Sequence, residues 1–79
     1  MIIFTKHARD KFIKLREHGV IINEKQVLDT LNNPELTDHS RPPLLIAQKV
    51  LDKTHILRVV FKKENSIIKV ITFYPGRRK

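Results

Sequence analysis

The sequence predicts an α+β domain in which two N-terminal helices pack on one face of a twisted antiparallel sheet of three to four strands. Three observations support this fold class. Between residues 6 and 32 the apolar side chains recur at spacings of three and four, which is the period of an amphipathic helix. After Pro34 apolar and polar residues alternate, as they do in strands. Turns of about three residues separate the alternating segments, so consecutive strands form antiparallel hairpins.

The first helix is predicted from Lys6 to about His18. Thr5 precedes it as the N-cap, because its hydroxyl can accept a hydrogen bond from an amide of the first turn. Gly19 follows it, since glycine adopts the left-handed conformation that ends helices at little cost. Residues 1–4 form a short strand or an extended entry segment.

The second helix begins after Asn23. Gln26 lies three residues further on and can complete a capping box with the Asn23 side chain. Asn33 ends the helix, because the residue before a proline is displaced from helical backbone angles. Its buried face consists of Val27, Leu28 and Leu31.

Three strands are predicted at residues 44–51, 55–62 and 66–74, and the polar segment 35–40 fits either a short edge strand or a loop. In the strand 55–62, Leu57, Val59 and Phe61 share one face, and Ile56, Arg58 and Val60 share the other. Helices cover one face of so small a sheet and leave the other largely open. We expect functional residues on that open face. Residues 75–79 are predicted to be a basic tail.

The 79 residues are predicted to form a single domain, because a chain of this length fills one hydrophobic core. Sixteen Lys and Arg against eight Asp and Glu give a net charge of +8. This charge favours binding of polyanions such as nucleic acid, and a solvated lysine-rich surface is the alternative. The sequence has no Cys for disulfides, no apolar run near the ~20 residues of a membrane span and no secretory signal at its start. We therefore expect a cytoplasmic protein that binds no membrane and is a monomer or weak dimer when free.

The residue types exclude several kinds of site. The four His residues lack the spacing of metal ligands, and two glycines cannot build a phosphate-binding loop, so neither a metal nor another cofactor is expected. The chemistry of His, Lys, Arg and Tyr remains. It is sufficient for cleavage of RNA without metal, because the 2′-hydroxyl of RNA is the nucleophile. The protein need only transfer protons and offset the charge of the transition state.

Four residues are candidates for this catalysis. His7 lies in the first helical turn, where the helix dipole favours the neutral imidazole, although it could equally be a surface histidine. Arg58 is a cation within an apolar strand and either faces phosphate or pairs with a carboxylate. Lys49 lies on the preceding strand. Tyr74 ends the last strand and could stack on a base, donate a proton or simply be an amphipathic edge residue. The candidates for binding the phosphate backbone are Arg9, Lys69, Arg77, Arg78 and Lys79.

Short motifs along nearly the whole chain resemble those of a known family. They are Thr5-x-His7-Ala8 at the start of a helix, Arg16-x-x-Gly19 at its end, and Ile71-Thr72-Phe73-Tyr74 in the last strand. The pattern resembles a family of small uncharacterised domains related to the RelE/ParE-like and BrnT-like toxins of toxin–antitoxin pairs. The family's Arg-x-x-Gly-Ile turn is stretched here, since Val20 follows Gly19.

The resemblance implies a RelE-like fold and metal-independent endoribonuclease activity, often on ribosome-bound mRNA. It also implies an acidic antitoxin protein that covers the basic face. By matching position, His7, Arg58 and Tyr74 carry over as candidate site residues.

Three functions stay open at this point. The first is a ribonuclease toxin in which the four candidates converge on one open face. The second is a non-catalytic module that binds RNA or DNA, with affinity that falls as salt rises. The third is a protein-interaction domain whose exposed β-edge accepts a segment of an acidic partner.

Overall fold

The structure is a computed structural model that describes residues 1–78. The described residues form two helices and five strands, which confirms the α+β class. In chain order the elements are β1 (Ile2–Phe4), α1 (Lys6–Glu17), α2 (Glu24–Asn32), β2 (Leu36–Arg41), β3 (Leu44–Val50), β4 (His55–Glu64) and β5 (Ile67–Arg77). In this part of the chain neither helix is long and apolar enough to cross a membrane.

The five strands form one mixed sheet in the order β1-β5-β4-β3-β2. Strand β1 runs parallel to β5, pairing Ile2 with Ile68, and the other neighbours are antiparallel. The prediction of a purely antiparallel sheet of three to four strands is therefore wrong in strand number and in the direction of one strand. A three-residue strand is too short to reveal its partner, and this partner lies near the other end of the chain.

Local hydrogen bonds begin both helices as the sequence predicts. The Thr5 hydroxyl accepts a hydrogen bond from the Ala8 amide at 3.1 Å and donates one to the Ile71 carbonyl at 3.0 Å, which ties the start of α1 to β5. Asn23 and Gln26 form the complete capping box of α2. Helix α1 ends at Glu17, shortly before a left-handed Gly19, and α2 ends before Asn33 and Pro34.

The core lies between the two helices and one face of the sheet. The Phe12 ring of α1 packs against the Phe73 ring of β5, with centroids 4.5 Å apart. We call this side of the sheet the covered face and the other side the open face. Buried side chains that fill the core are Ala8, Ile22, Val27, Leu57, Val59, Val70 and Phe73.

Two segments are strands that the sequence left open or assigned otherwise. Residues 36–41 form β2, an edge strand paired with β3. Strand β5 continues through Arg77, so the predicted basic tail from Pro75 onward is wrong for residues 75–77. Pro75 is tolerated because β1 pairs with β5 only up to Val70, which leaves no neighbour on that side for the missing amide hydrogen. Lys79 lies outside the described residues.

Candidate nucleic-acid interface

A cleft of about 570 Å³ lies on the open face beside the edge strand β2. All six residues of β2 line one side of it. The pairing of β2 with β3 shifts register between Asp38 and Arg41, an irregularity of the kind that bends an edge strand. We call this site the Arg58 cleft. Its other lining residues are Ile46, Gln48, Arg58 and Tyr74.

Arg58 is the best-anchored cation of the cleft. It lies in β4 between Gln48 of β3 and Tyr74 of β5 in the sheet register, and its Nε donates a hydrogen bond to Gln48 Oε1 at 3.1 Å. Its guanidinium lies against Gly76, where an added Cβ would come within 2.7 Å of Arg58 Nη1. No carboxylate of residues 1–78 forms an ion pair with it. Arg58 is thus fixed by neutral groups and keeps donors for a ligand.

Tyr74 lies directly opposite Arg58 on β5, half-buried, and lines the same cleft. It does not end its strand, since β5 continues to Arg77. Within residues 1–78 its hydroxyl makes no hydrogen bond, so the O–H can donate to a ligand in the cleft. The structure therefore brings together two of the four predicted catalytic residues.

Lys49 lies on the covered face, away from the cleft. It pairs in the sheet with the buried Leu57, and its Nζ forms an ion pair with Asp29 of α2 at 2.6 Å. The hydrogen bond from Lys49 lowers the pKa of Asp29, with a further contribution from Asn33. The prediction that Lys49 converges with Arg58 on one face is wrong, because strand alternation places it one residue out of phase, toward a helix carboxylate.

His7 and Arg9 do not line the cleft either. Both side chains are exposed on α1, which packs against β5 and β1 on the covered face. The prediction of a single surface shared by His7 and Arg58 is therefore wrong as well. A helix start that is well defined by its cap still leaves open which side of the sheet the helix covers.

The remaining predicted phosphate ligands lie at the two ends of strands β4 and β5. Lys69 and Lys62 face each other near the β4–β5 turn, where both contact the Glu64 carboxylate, at 3.6 and 3.0 Å. These contacts, above all the hydrogen bond from Lys62, lower the pKa of Glu64. Arg77 and Arg78 lie at the opposite end and line two further hollows.

Sequence reasoning identified only Arg58 and Tyr74 of the cleft, and the residues that it missed include His39, Arg41 and Gln48. The signal was present in the segment 35–40, which fits an edge strand. A hairpin with the following strand would have placed Arg41 beside Leu44, as observed. One acidic residue, Asp38, also lines the cleft. Hydrogen bonding from the Ser40 side chain and backbone lowers the pKa of the Asp38 carboxyl group.

Among residues 1–78, no group of three or more His, Asp or Glu side chains is placed to hold a metal ion. No protein-family model matches the chain, and comparisons with curated proteins and with solved structures found no match.

Proposed function

We propose that this protein is a metal-independent endoribonuclease, of the type found in RelE-like toxins, that binds RNA in the Arg58 cleft. The observation that supports the proposal is the juxtaposition of Arg58 and Tyr74. They are register partners on the open face and line one cleft together with His39 and Arg41 of β2. This set combines cations for phosphate, an aromatic ring for stacking and two groups able to transfer protons.

The reaction needs no group beyond these side chains and the RNA itself. The 2′-oxygen attacks the adjacent phosphorus, and the bond from phosphorus to the 5′-oxygen breaks, leaving a 2′,3′-cyclic phosphate and a 5′-hydroxyl. His39 is the candidate to take the 2′-hydroxyl proton, since it lines the cleft and a neutral imidazole has one ring nitrogen that accepts a proton. Tyr74 is the candidate to protonate the leaving 5′-oxygen. The Arg58 guanidinium donates to the phosphate oxygens as negative charge accumulates on them.

The anchoring of Arg58 supports catalysis rather than loose electrostatic attraction. Gln48 holds Nε, and Gly76 leaves the space in which the guanidinium lies. A donor that is already oriented loses little entropy when phosphate binds and stabilises the transition state without rearrangement.

An acidic antitoxin belongs to the same proposal. Strand β2 is the last strand of the sheet, five of its six residues are exposed, and it forms one side of the cleft. A partner segment that pairs with this edge would also cover the RNA site, and the net charge of +8 favours an acidic one.

The test is cleavage of free RNA, and of mRNA on programmed ribosomes, by the purified chain in the presence of a chelator. We expect cleavage that chelator does not inhibit and that Arg58→Ala reduces by about 100-fold or more. Lys49→Ala is the matched control, since it removes a cation from the covered face and should leave cleavage unchanged. Intact RNA in both assays with folded protein would overturn the proposal, and salt-sensitive binding without cleavage would favour a non-catalytic binding module.

A further inference from the structure

Two further hollows continue from the Arg58 cleft toward the Arg77 end of the sheet. The first, of about 470 Å³, shares Gln48 and Arg58 with the cleft and also contacts Arg77 and Arg78. We call it the bridging hollow. The second, of about 420 Å³, shares Arg77 and Arg78 with the bridging hollow and is lined otherwise by Lys53, Thr54 and His55. We call it the His55 notch. Because neighbouring sites share lining residues, the three sites lie in succession from the cleft toward the Arg77 end of the sheet.

The His55 notch is rich in cations that no carboxylate neutralises. Three of its five lining residues are Lys53, Arg77 and Arg78, and none of these forms an ion pair within residues 1–78. A fourth lining residue, His55, differs from these three because its Nδ1 pairs with the Asp52 carboxylate. Unpaired cations thus lie at both the cleft and the notch, whereas Lys62 and Lys69 share the Glu64 carboxylate.

His55 is oriented by the turn that precedes β4. Its Nδ1 lies 3.1 Å from Asp52 Oδ1 and 2.8 Å from the Thr54 hydroxyl oxygen, so Nε2 is the ring nitrogen that can contact a ligand. The same Asp52 oxygen accepts hydrogen bonds from the Thr54 and His55 amides at 2.9 and 2.8 Å. These bonds, led by that from the Thr54 amide, lower the pKa of Asp52 to about 2. The Asp52 carboxylate therefore orients the His55 ring through Nδ1 and leaves Nε2 for a ligand.

The arginines of the notch are also held by the backbone. Arg77 pairs with His55 at the end of the β4–β5 ladder, and the Arg78 amide donates to the Thr54 carbonyl at 2.8 Å. Because the Arg58–Tyr74 and His55–Arg77 pairs are three register positions apart, the notch lies roughly 10 Å from Arg58 along the strand. Two phosphates of one strand can therefore occupy the cleft and the notch together.

We propose that the His55 notch binds a second backbone phosphate of the RNA, and that the substrate is a single strand long enough to place phosphates in the cleft and the notch together. This inference rests on the proposed function of the Arg58 cleft. The path favours a single strand, because His55 and Arg77 are in phase with the covered face and the chain must bend around the end of the sheet. A flexible strand can follow this bend, and a stiff duplex cannot.

The test measures binding apart from cleavage, using 2′-O-methyl RNA, whose blocked 2′-oxygen cannot attack. A labelled dinucleotide, with one phosphodiester, and a labelled tetranucleotide are titrated with the full chain by fluorescence anisotropy at several salt concentrations. We expect the tetranucleotide to bind about tenfold more tightly, with a salt slope steeper by about 0.7 for the added phosphate contact. Arg77→Gln and His55→Ala should each reduce this difference in affinity between the two oligonucleotides.

The control is Arg16→Gln, which removes the same charge from an exposed position on α1. Equal losses of tetranucleotide affinity in Arg16→Gln and Arg77→Gln would overturn the proposed phosphate site in the notch and indicate general charge attraction. Equal affinity of the wild-type chain for both oligonucleotides would overturn it too. If Arg58→Ala still abolished dinucleotide binding in either case, the proposed function would survive. Failure of the folded wild-type chain to bind either oligonucleotide would overturn both proposals.

Discussion

The covered and open faces of this sheet are built from alternate residues of the same strands, yet the mid-strand cations Lys49 and Arg58 on the two faces have different partners. On the covered face Lys49 forms an ion pair with Asp29 of α2 at 2.6 Å, and the surrounding strand side chains are apolar and buried. On the open face Arg58 contacts Gln48 and Gly76, which carry no charge. A cation under a helix is thus neutralised within the fold. Arg58 on the open face is positioned by neutral groups and keeps its charge for an external anion.

This difference suggests a general way to judge cations on a half-covered sheet. Strand position alone does not separate Lys49 from Arg58, since both lie mid-strand beside apolar residues. The partner separates them, because a charged partner satisfies the cation whereas a neutral partner only orients it. Substitutions on the covered face should therefore mainly affect folding, whereas substitutions on the open face should mainly affect RNA binding.

The largest effect is expected at the adjacent residues Phe73 and Tyr74, which point to opposite faces. Phe73 is fully buried against the Phe12 ring, so Phe73→Ala should lower the free energy of unfolding by about 3–5 kcal/mol. Tyr74→Phe should change it by less than about 0.5 kcal/mol, because the hydroxyl has no partner within residues 1–78. Urea denaturation followed by circular dichroism measures both.

Cleavage assays complete this comparison. Tyr74→Phe should slow RNA cleavage although it leaves the fold intact, since it removes the proposed proton donor. A stable, active Phe73→Ala variant, or a Tyr74→Phe variant with wild-type cleavage, would contradict the division of roles between the two faces.

A smaller effect is expected from Gly76→Ala, which moves Arg58 without removing its charge. The added methyl group would lie 2.7 Å from Arg58 Nη1, so the guanidinium must shift. A displacement of about 1 Å at a reacting group can cost on the order of 100-fold in rate, and we expect cleavage to fall by up to this factor. Single-turnover cleavage measures the loss.

Gly19→Ala is the control for this substitution. Gly19 has a φ of 79° and open space around it, so alanine there strains the backbone but touches nothing near the cleft. It should lower stability by about 1 kcal/mol and leave cleavage unchanged. Equal cleavage by Gly76→Ala and wild type would show that the position of Arg58 does not matter.

The parts of the fold that sequence predicts correctly are those decided within a few residues. Thr5 caps α1 and Asn23 with Gln26 caps α2, because each hydrogen bond spans three residues. Strand alternation in β4 is also local, because it places the consecutive residues Leu57 and Arg58 on opposite faces of the sheet.

The features that sequence could not predict depend on contacts between distant segments. The parallel pairing of Ile2 with Ile68 joins the two ends of the chain, and the Lys49–Asp29 ion pair depends on where α2 crosses β3. The cleft itself needs β2 beside β3, which brings Arg41 toward Arg58. A polar edge strand has no apolar periodicity, so its place in the sheet is not visible in its own residues.

The smallest effect is the pH dependence of the covered-face ion pair. The Lys49 hydrogen bond lowers the pKa of Asp29 in the folded state, so its contribution to stability is complete above the unfolded pKa, near 4. That contribution is lost as the pH falls below 4 and the carboxylate takes up a proton. Lys49→Met should therefore destabilise the protein slightly at pH 6 and progressively less toward pH 2.5, as urea denaturation at each pH would show.

An NMR titration should show the Asp29 pKa rising in Lys49→Met. The same titration should show it unchanged in Lys14→Met, which removes an exposed cation of α1 with no ion pair among residues 1–78. A constant difference between Lys49→Met and wild type across this pH range would mean that Lys49 acts only through packing of its hydrocarbon chain, and the contrast in charge between the two faces would not hold.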